Sequence, residues 1–188
     1  MTTPRSAQAS GRLHIVLIPG FAGFDALGQL EYYAGITPLF RNWQVGHKAR
    51  AYVVLHYFDN FPTAAVVTRA GRLQSYLAKR IARGEFLPGD TLALVGHSTG
   101  GLDIRWLLWE LSRDPDRTIP VDGGQGSAYT VQAAEILNLV QRVVFLSVPQ
   151  WGTNIADWVR AHTIARKAAV ADLRARGRGF ATPTSGHD

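Results

Sequence analysis

The sequence predicts an α/β fold built on a parallel sheet. Four short, nearly continuous apolar runs, at 13–18, 51–57, 91–95 and 142–148, have the composition of strands buried on both faces. Helix-period segments lie between them, and right-handed crossovers would lay those helices over the sheet. At 188 residues and 46% hydrophobic, the chain can bury one real core, so a single domain is expected.

Taken in order, residues 1–12 are polar and expected to be a flexible leader, and Leu13 to Ile18 is the first strand. After the run at 51–57, Val66, Val67, Leu73, Leu77 and Ile81 recur at helical spacing, with Arg69, Arg72, Lys79, Arg80 and Arg83 assigned to the other faces. Gly84 and Pro88-Gly89 stop that helix. The run at 91–95 leads into a second helix carrying Leu102, Ile104, Leu107, Leu108 and Leu111, which Asp114-Pro115 ends. Residues 112–128, rich in Asp, Pro, Gly and Ser, read as a surface excursion before the fourth run. Residues 13–160 form the expected domain, and 161–188 a basic helix and loose tail. There is no internal repeat.

Composition excludes several functions. Zero cysteines rule out disulfides, a thiol nucleophile and cysteine-ligated zinc. The net charge of +6 is local: six Lys or Arg against one acid lie between Arg160 and Arg178, which reads as a solvated face and not as a nucleic-acid surface. Neither a signal-peptide core within Met1 to Arg12 nor a membrane-length apolar run is present, so a cytoplasmic location is the default expectation. Nothing calls for a metal or a cofactor.

The chemistry is concentrated at Gly96-His97-Ser98-Thr99-Gly100, which follows an apolar strand and opens a helix. A hydroxyl becomes a nucleophile where a base can reach it, and a serine on a sharp strand-to-helix turn is so exposed. Gly96 and Gly100 clear the space that lets strand and helix approach. For this composition about 0.08 such matches arise by chance, and the flanking strand and helix reduce that further. The bland alternative is a glycine-rich turn whose serine merely caps the helix.

Three blocks in order carry a family resemblance: Pro19-Gly20-Phe21-Ala22-Gly23-Phe24-Asp25 with Glu31-Tyr32-Tyr33-Ala34-Gly35-Ile36, then Gly96 to Gly101, then Val148-Pro149-Gln150-Trp151-Gly152-Thr153. Over residues 13–160 or so, the chain resembles the N-terminal part of bacterial triacylglycerol lipases of the α/β-hydrolase superfamily. The resemblance implies an α/β-hydrolase-like sheet ordered 51–57, 13–18, 91–95, 142–148. It also implies a nucleophile at Ser98 and an oxyanion hole made by the backbone N–H groups of Phe21 and Thr99. A helix N-terminus favours the second of these donors physically. Two departures stand out: Pro19 occupies a position that is usually histidine, and Gln150 one that often is.

In that fold the acid and histidine follow the fourth strand, in the order serine, acid, histidine. After Gln150 there is no further strand pattern, and His187-Asp188 stands in the wrong order at the terminus. His56 with Asp59 is expected to be a loop-anchoring pair, His97 to pack locally, and His162 and Asp157 to have no catalytic part. The expectation is therefore a C-terminally truncated fold: a serine carboxylic-ester hydrolase fragment, acting on an ester or lipid, with Ser98 but no assignable Asp or His. The fourth strand would then be an exposed edge prone to self-association. The alternative is a non-catalytic binding or interaction module of the same fold, and an acyltransferase would use the same serine.

Overall fold

The computed structural model describes residues 11–20, 33, 35–46, 53–61, 63–122 and 128–153. The elements are β1 (Leu13–Ile18), α1 (Ile36–Gly46), β2 (Val53–Tyr57), α2 (Val66–Ala82), β3 (Thr91–His97), α3 (Thr99–Arg113), β4 (Thr118–Asp122), β5 (Ala128–Gln132), α4 (Ala133–Leu139) and β6 (Val140–Leu146). The main sheet has the order β2-β1-β3-β6 and is parallel throughout. This is the order the resemblance implies.

The pleat sends alternate residues of β1 to two cores. Val16 and Ile18 join Leu73 and Leu77 of α2, Ile104, Leu107 and Leu111 of α3, and Leu92 and Leu94 of β3. Ile15 and Leu17 face the other way, against Tyr33, Ala93 and, on α1, Ile36 and Phe40. Double-sided burial explains why β1 is apolar but for His14, which is buried with a carboxylate partner. Gly84, at φ 66°, and Gly89, at φ 90°, supply the left-handed residues that end α2 and turn the chain into β3.

Several sequence expectations change. The segment 112–128 is not simply a surface excursion. Its second half opens the antiparallel hairpin of β4 and β5, whose Ile119, Val121 and Val131 are buried against α2 and α4. The fourth strand begins and ends two residues earlier than the apolar run suggests, because Ser147 turns to φ 48° and leaves the sheet. Arg69 is not on an outer face of α2 but fully buried. Arg12, assigned to the loose leader, is held by Asp90, whose Oδ1 accepts its N–H at 2.7 Å and whose Oδ2 accepts its guanidinium at 2.6 Å. The segments 1–10 and 161–188 lie outside the described residues. No described helix is long and apolar enough to cross a membrane.

Candidate active site at the β3–α3 turn

Ser98 is the single residue between β3 and α3, and its backbone stands at φ 53°, ψ −129°. An L residue pays for such a conformation in local strain, which persists only where surroundings enforce it. Here they do. The Ser98 N–H donates to the Leu146 carbonyl at the end of β6, 2.9 Å away, and the Ser98 carbonyl accepts from Gly101 at 3.2 Å.

The glycines are required by close backbone approach. A Cβ on Gly96 would lie 2.6 Å from the Gly101 N and Cα, and one on Gly100 would lie 2.4 Å from the Ile18 carbonyl oxygen. Gly20 is equally confined, since its Cβ would fall 2.5 Å from the Ser98 Cβ. Pro19-Gly20 therefore runs directly beside the serine. Because backbone cannot step aside as a side chain can, Gly100→Ala is expected to lose about 1–3 kcal/mol of stability, as an overpacked core does. Thermal unfolding reads this out, and an unchanged midpoint would show that strand and helix have room to part.

A third segment closes the site. Val148 approaches α3 so nearly that a Cβ on Gly101 would lie 2.2 Å from its Cγ2. Gln150 Oε1 accepts from Arg105 Nη1 on α3, so the residue standing in place of a histidine serves as an anchor. Thr99 is buried, and as the first residue of α3 its N–H has no partner within the helix.

Two buried polar clusters support this arrangement, neither of them singled out by the sequence. Beneath the elbow, Arg69 Nε and Nη2 donate to Asp103 Oδ2 at 3.0 and 2.6 Å, Nη2 also reaches the Pro19 carbonyl at 3.3 Å, and Asn60 Nδ2 donates to the same carboxylate oxygen at 3.3 Å. Further back in the sheet, His14 Nε2 lies 3.0 Å from Asp90 Oδ2 and His14 Nδ1 lies 2.8 Å from His56 Nε2. Burial works to raise the Asp90 carboxyl, but hydrogen bonds from the Arg12 side chain, the Leu87 and Arg12 N–H groups and His14 outweigh it and hold the group well below the usual carboxylate range. His56 is lowered to about 4, chiefly by desolvation, with the positive charges of Arg80 and Arg12 and the neighbouring His14 adding to it.

No protein-family model matches the chain, and no curated protein matches it in sequence. Solved structures do match. Phospholipase PlaB from Legionella pneumophila superposes with a TM-score of 0.57 at 14% identity over 86% of this chain. The chain has an α/β-hydrolase fold. The mature lipase BlEst2 from Bacillus licheniformis shares this α/β-hydrolase architecture at a TM-score of 0.50 and 18% identity over 93% of the chain. A metagenomic carboxyl esterase aligns over 92% at 14% identity, with a TM-score of 0.49. The chain spans 30%, 61% and 45% of the lengths of those three chains, respectively.

Within the α/β-hydrolase sheet, Gly96, Ser98, Thr99 and Gly100 meet at the end of β3 beside Gly20. Phe21, Asp157, His162 and His187 lie outside the described residues. His56 is bonded to His14 and so is not simply the partner of Asp59. It pairs in register with Val16, which pairs with Leu94, four residues before Ser98. At the rise of a strand this places it about 13 Å back from the elbow.

The sequence did carry a signal for the missed ion pair. Arg69 sits on the α2 stripe of Val66, Ala70, Leu73 and Leu77, and Asp103 on the α3 stripe of Leu107 and Leu111. Opposite charges on two apolar stripes call for each other.

Proposed function

We propose that the chain is the nucleophile-bearing portion of a serine carboxylic-ester hydrolase of lipase or esterase type. The observation that supports this reading is the strained Ser98 between β3 and α3, hemmed in by glycines that cannot accept a Cβ. Ser98 Oγ attacks the ester carbonyl, its proton passing to a base, and the carbonyl oxygen becomes an oxyanion held by the N–H groups of Thr99 and Phe21. Collapse expels the alcohol, which leaves with that proton. Water then attacks the acyl carbon, releases the acid and restores the serine hydroxyl. His14 is engaged by Asp90 and His56 by His14, well back from the elbow, so the base belongs to residues other than these two.

An alkyl fluorophosphonate tests the reading. Ser98 Oγ bonds to phosphorus, fluoride leaves and the hydroxyl proton passes to solvent. The expected result is slow, selective modification of Ser98 ahead of every other serine, absent in Ser98→Ala and mapped by peptide mass spectrometry. Indiscriminate or absent modification overturns the assignment.

The β6 edge bears on assembly. Val144, Phe145 and Leu146 are 40–42% exposed at the margin of the described sheet, and the charge of Arg142 lies only at the other end of the strand. The chain is expected to self-associate there, giving light-scattering masses that rise with concentration. A concentration-independent monomer, with β6 amides as protected from exchange as those of β3, would refute this.

A further inference from the structure

We propose that Arg69 is a positioning residue for the oxyanion side of the Ser98 site, acting through the Pro19 carbonyl and itself held by Asp103. The proposal rests on the reading of Ser98 as nucleophile. A proline offers its neighbours no N–H and no polar side chain, so the carbonyl is the only polar handle on residue 19. That handle is gripped from two sides. Arg69 Nη2 donates to it at 3.3 Å, and Gly100 presses so close that a Cβ there would lie 2.6 Å from the same oxygen. The orientation of this peptide plane sets the course of the chain at Gly20, which runs against Ser98.

The guanidinium is itself aimed by the elbow helix. Asp103 lies one turn beyond Thr99 on α3, takes two hydrogen bonds from Arg69, and shares its Oδ2 with Asn60. Both members of the pair are 0% exposed. Stability alone does not account for them, since a buried ion pair is often matched or bettered by apolar side chains of similar volume. Geometry does account for them. A planar fork can hold a carboxylate and a carbonyl at once in fixed directions, which an ammonium on a flexible stem does not. Arg69 thus ties α2, the turn helix and the segment after β1 into one unit.

The test compares the full chain with Arg69→Met/Asp103→Leu, which removes both charges at similar volume, and with Arg69→Lys, which keeps a cation for Asp103 but lacks the fork. Two readouts are followed: hydrogen exchange along 13–20 and 91–97, and the rate of Ser98 modification by the fluorophosphonate. The expected result is faster exchange confined to the Gly20 amide, by about tenfold, with β1 and β3 protection retained. Modification slows on the order of 10²-fold, the penalty of misplacing a reacting group by about 1 Å. Exchange that rises equally across β1 and β3, or stays unchanged at Gly20 in both variants, would mean the pair only braces the core, and would overturn the proposal. If the parent chain is not modified at Ser98 at all, the hydrolase reading fails. The exchange pattern then decides the positioning role by itself.

Discussion

Lowering the pH from 7 to 4 is expected to strip about 3 kcal/mol of folding stability from this chain through His56 alone. In the unfolded chain His56 takes up a proton near pH 6.5, whereas in the folded protein burial and neighbouring positive charge defer this to about 4. Between those values the unfolded state binds the extra proton, so stability is full above 6.5 and falls as the pH descends. Asp90 acts in the same direction at lower pH. Its carboxyl is depressed in the fold relative to a reference of 3.8, so the stability it contributes is lost as acid drives it toward protonation. The hydrogen-bond chain explains why one substitution separates the two. With Asp90 ionised, the contacts form a chain in which His14 Nε2 donates to Asp90 and His56 Nε2–H donates to His14 Nδ1. His56→Gln keeps a donor for His14 but cannot titrate. Urea unfolding at intervals from pH 7 to 4 should show a steep profile in the parent and a nearly flat one in His56→Gln. Parallel profiles would exonerate His56.

Arg69→Met alone is expected to cost about 3–5 kcal/mol, because it strands the Asp103 carboxylate in a site with no access to water. The change removes two hydrogen bonds to Asp103 and the one to Pro19. Adding Asp103→Leu should recover most of the loss, since the penalty lies in the orphaned charge and not in the missing pair. Urea midpoints with unchanged slopes would carry the comparison. A single variant as stable as the parent would mean that water reaches Asp103, contrary to its burial.

Much of the fold was legible because the residues that build it behave alike in any context. The nearly continuous apolar run of β1 has the composition of a strand buried on both faces, and the spacing of Gly96, Ser98 and Gly100 marks the turn. The hairpin was hidden for a physical reason. Ile119, Val121 and Val131 alternate correctly, but each strand is only five residues long, and Pro120 and Asp122 mimic loop composition. The buried pair was hidden by charge itself: Arg69 stands among Arg72, Lys79 and Arg80, and a cation in such company is ordinarily solvated. The displacement of β6 turned on the backbone of Ser147, which no apolar count reports.

The hydrogen bond from the Ser98 amide to the Leu146 carbonyl also divides the labour at the turn. An amide already engaged by a neighbouring strand has no proton left to offer elsewhere, so the unengaged N–H groups at this turn are those that open α3, beginning with Thr99. On the proposed hydrolase reading, an oxygen that gathers negative charge beside Ser98 is met by the opening of α3 and not by the serine's own amide. Changes that leave Gly96 to Gly100 untouched can still disturb this turn, because Ile18 and Pro19 press on Gly100 and Gly20 presses on Ser98.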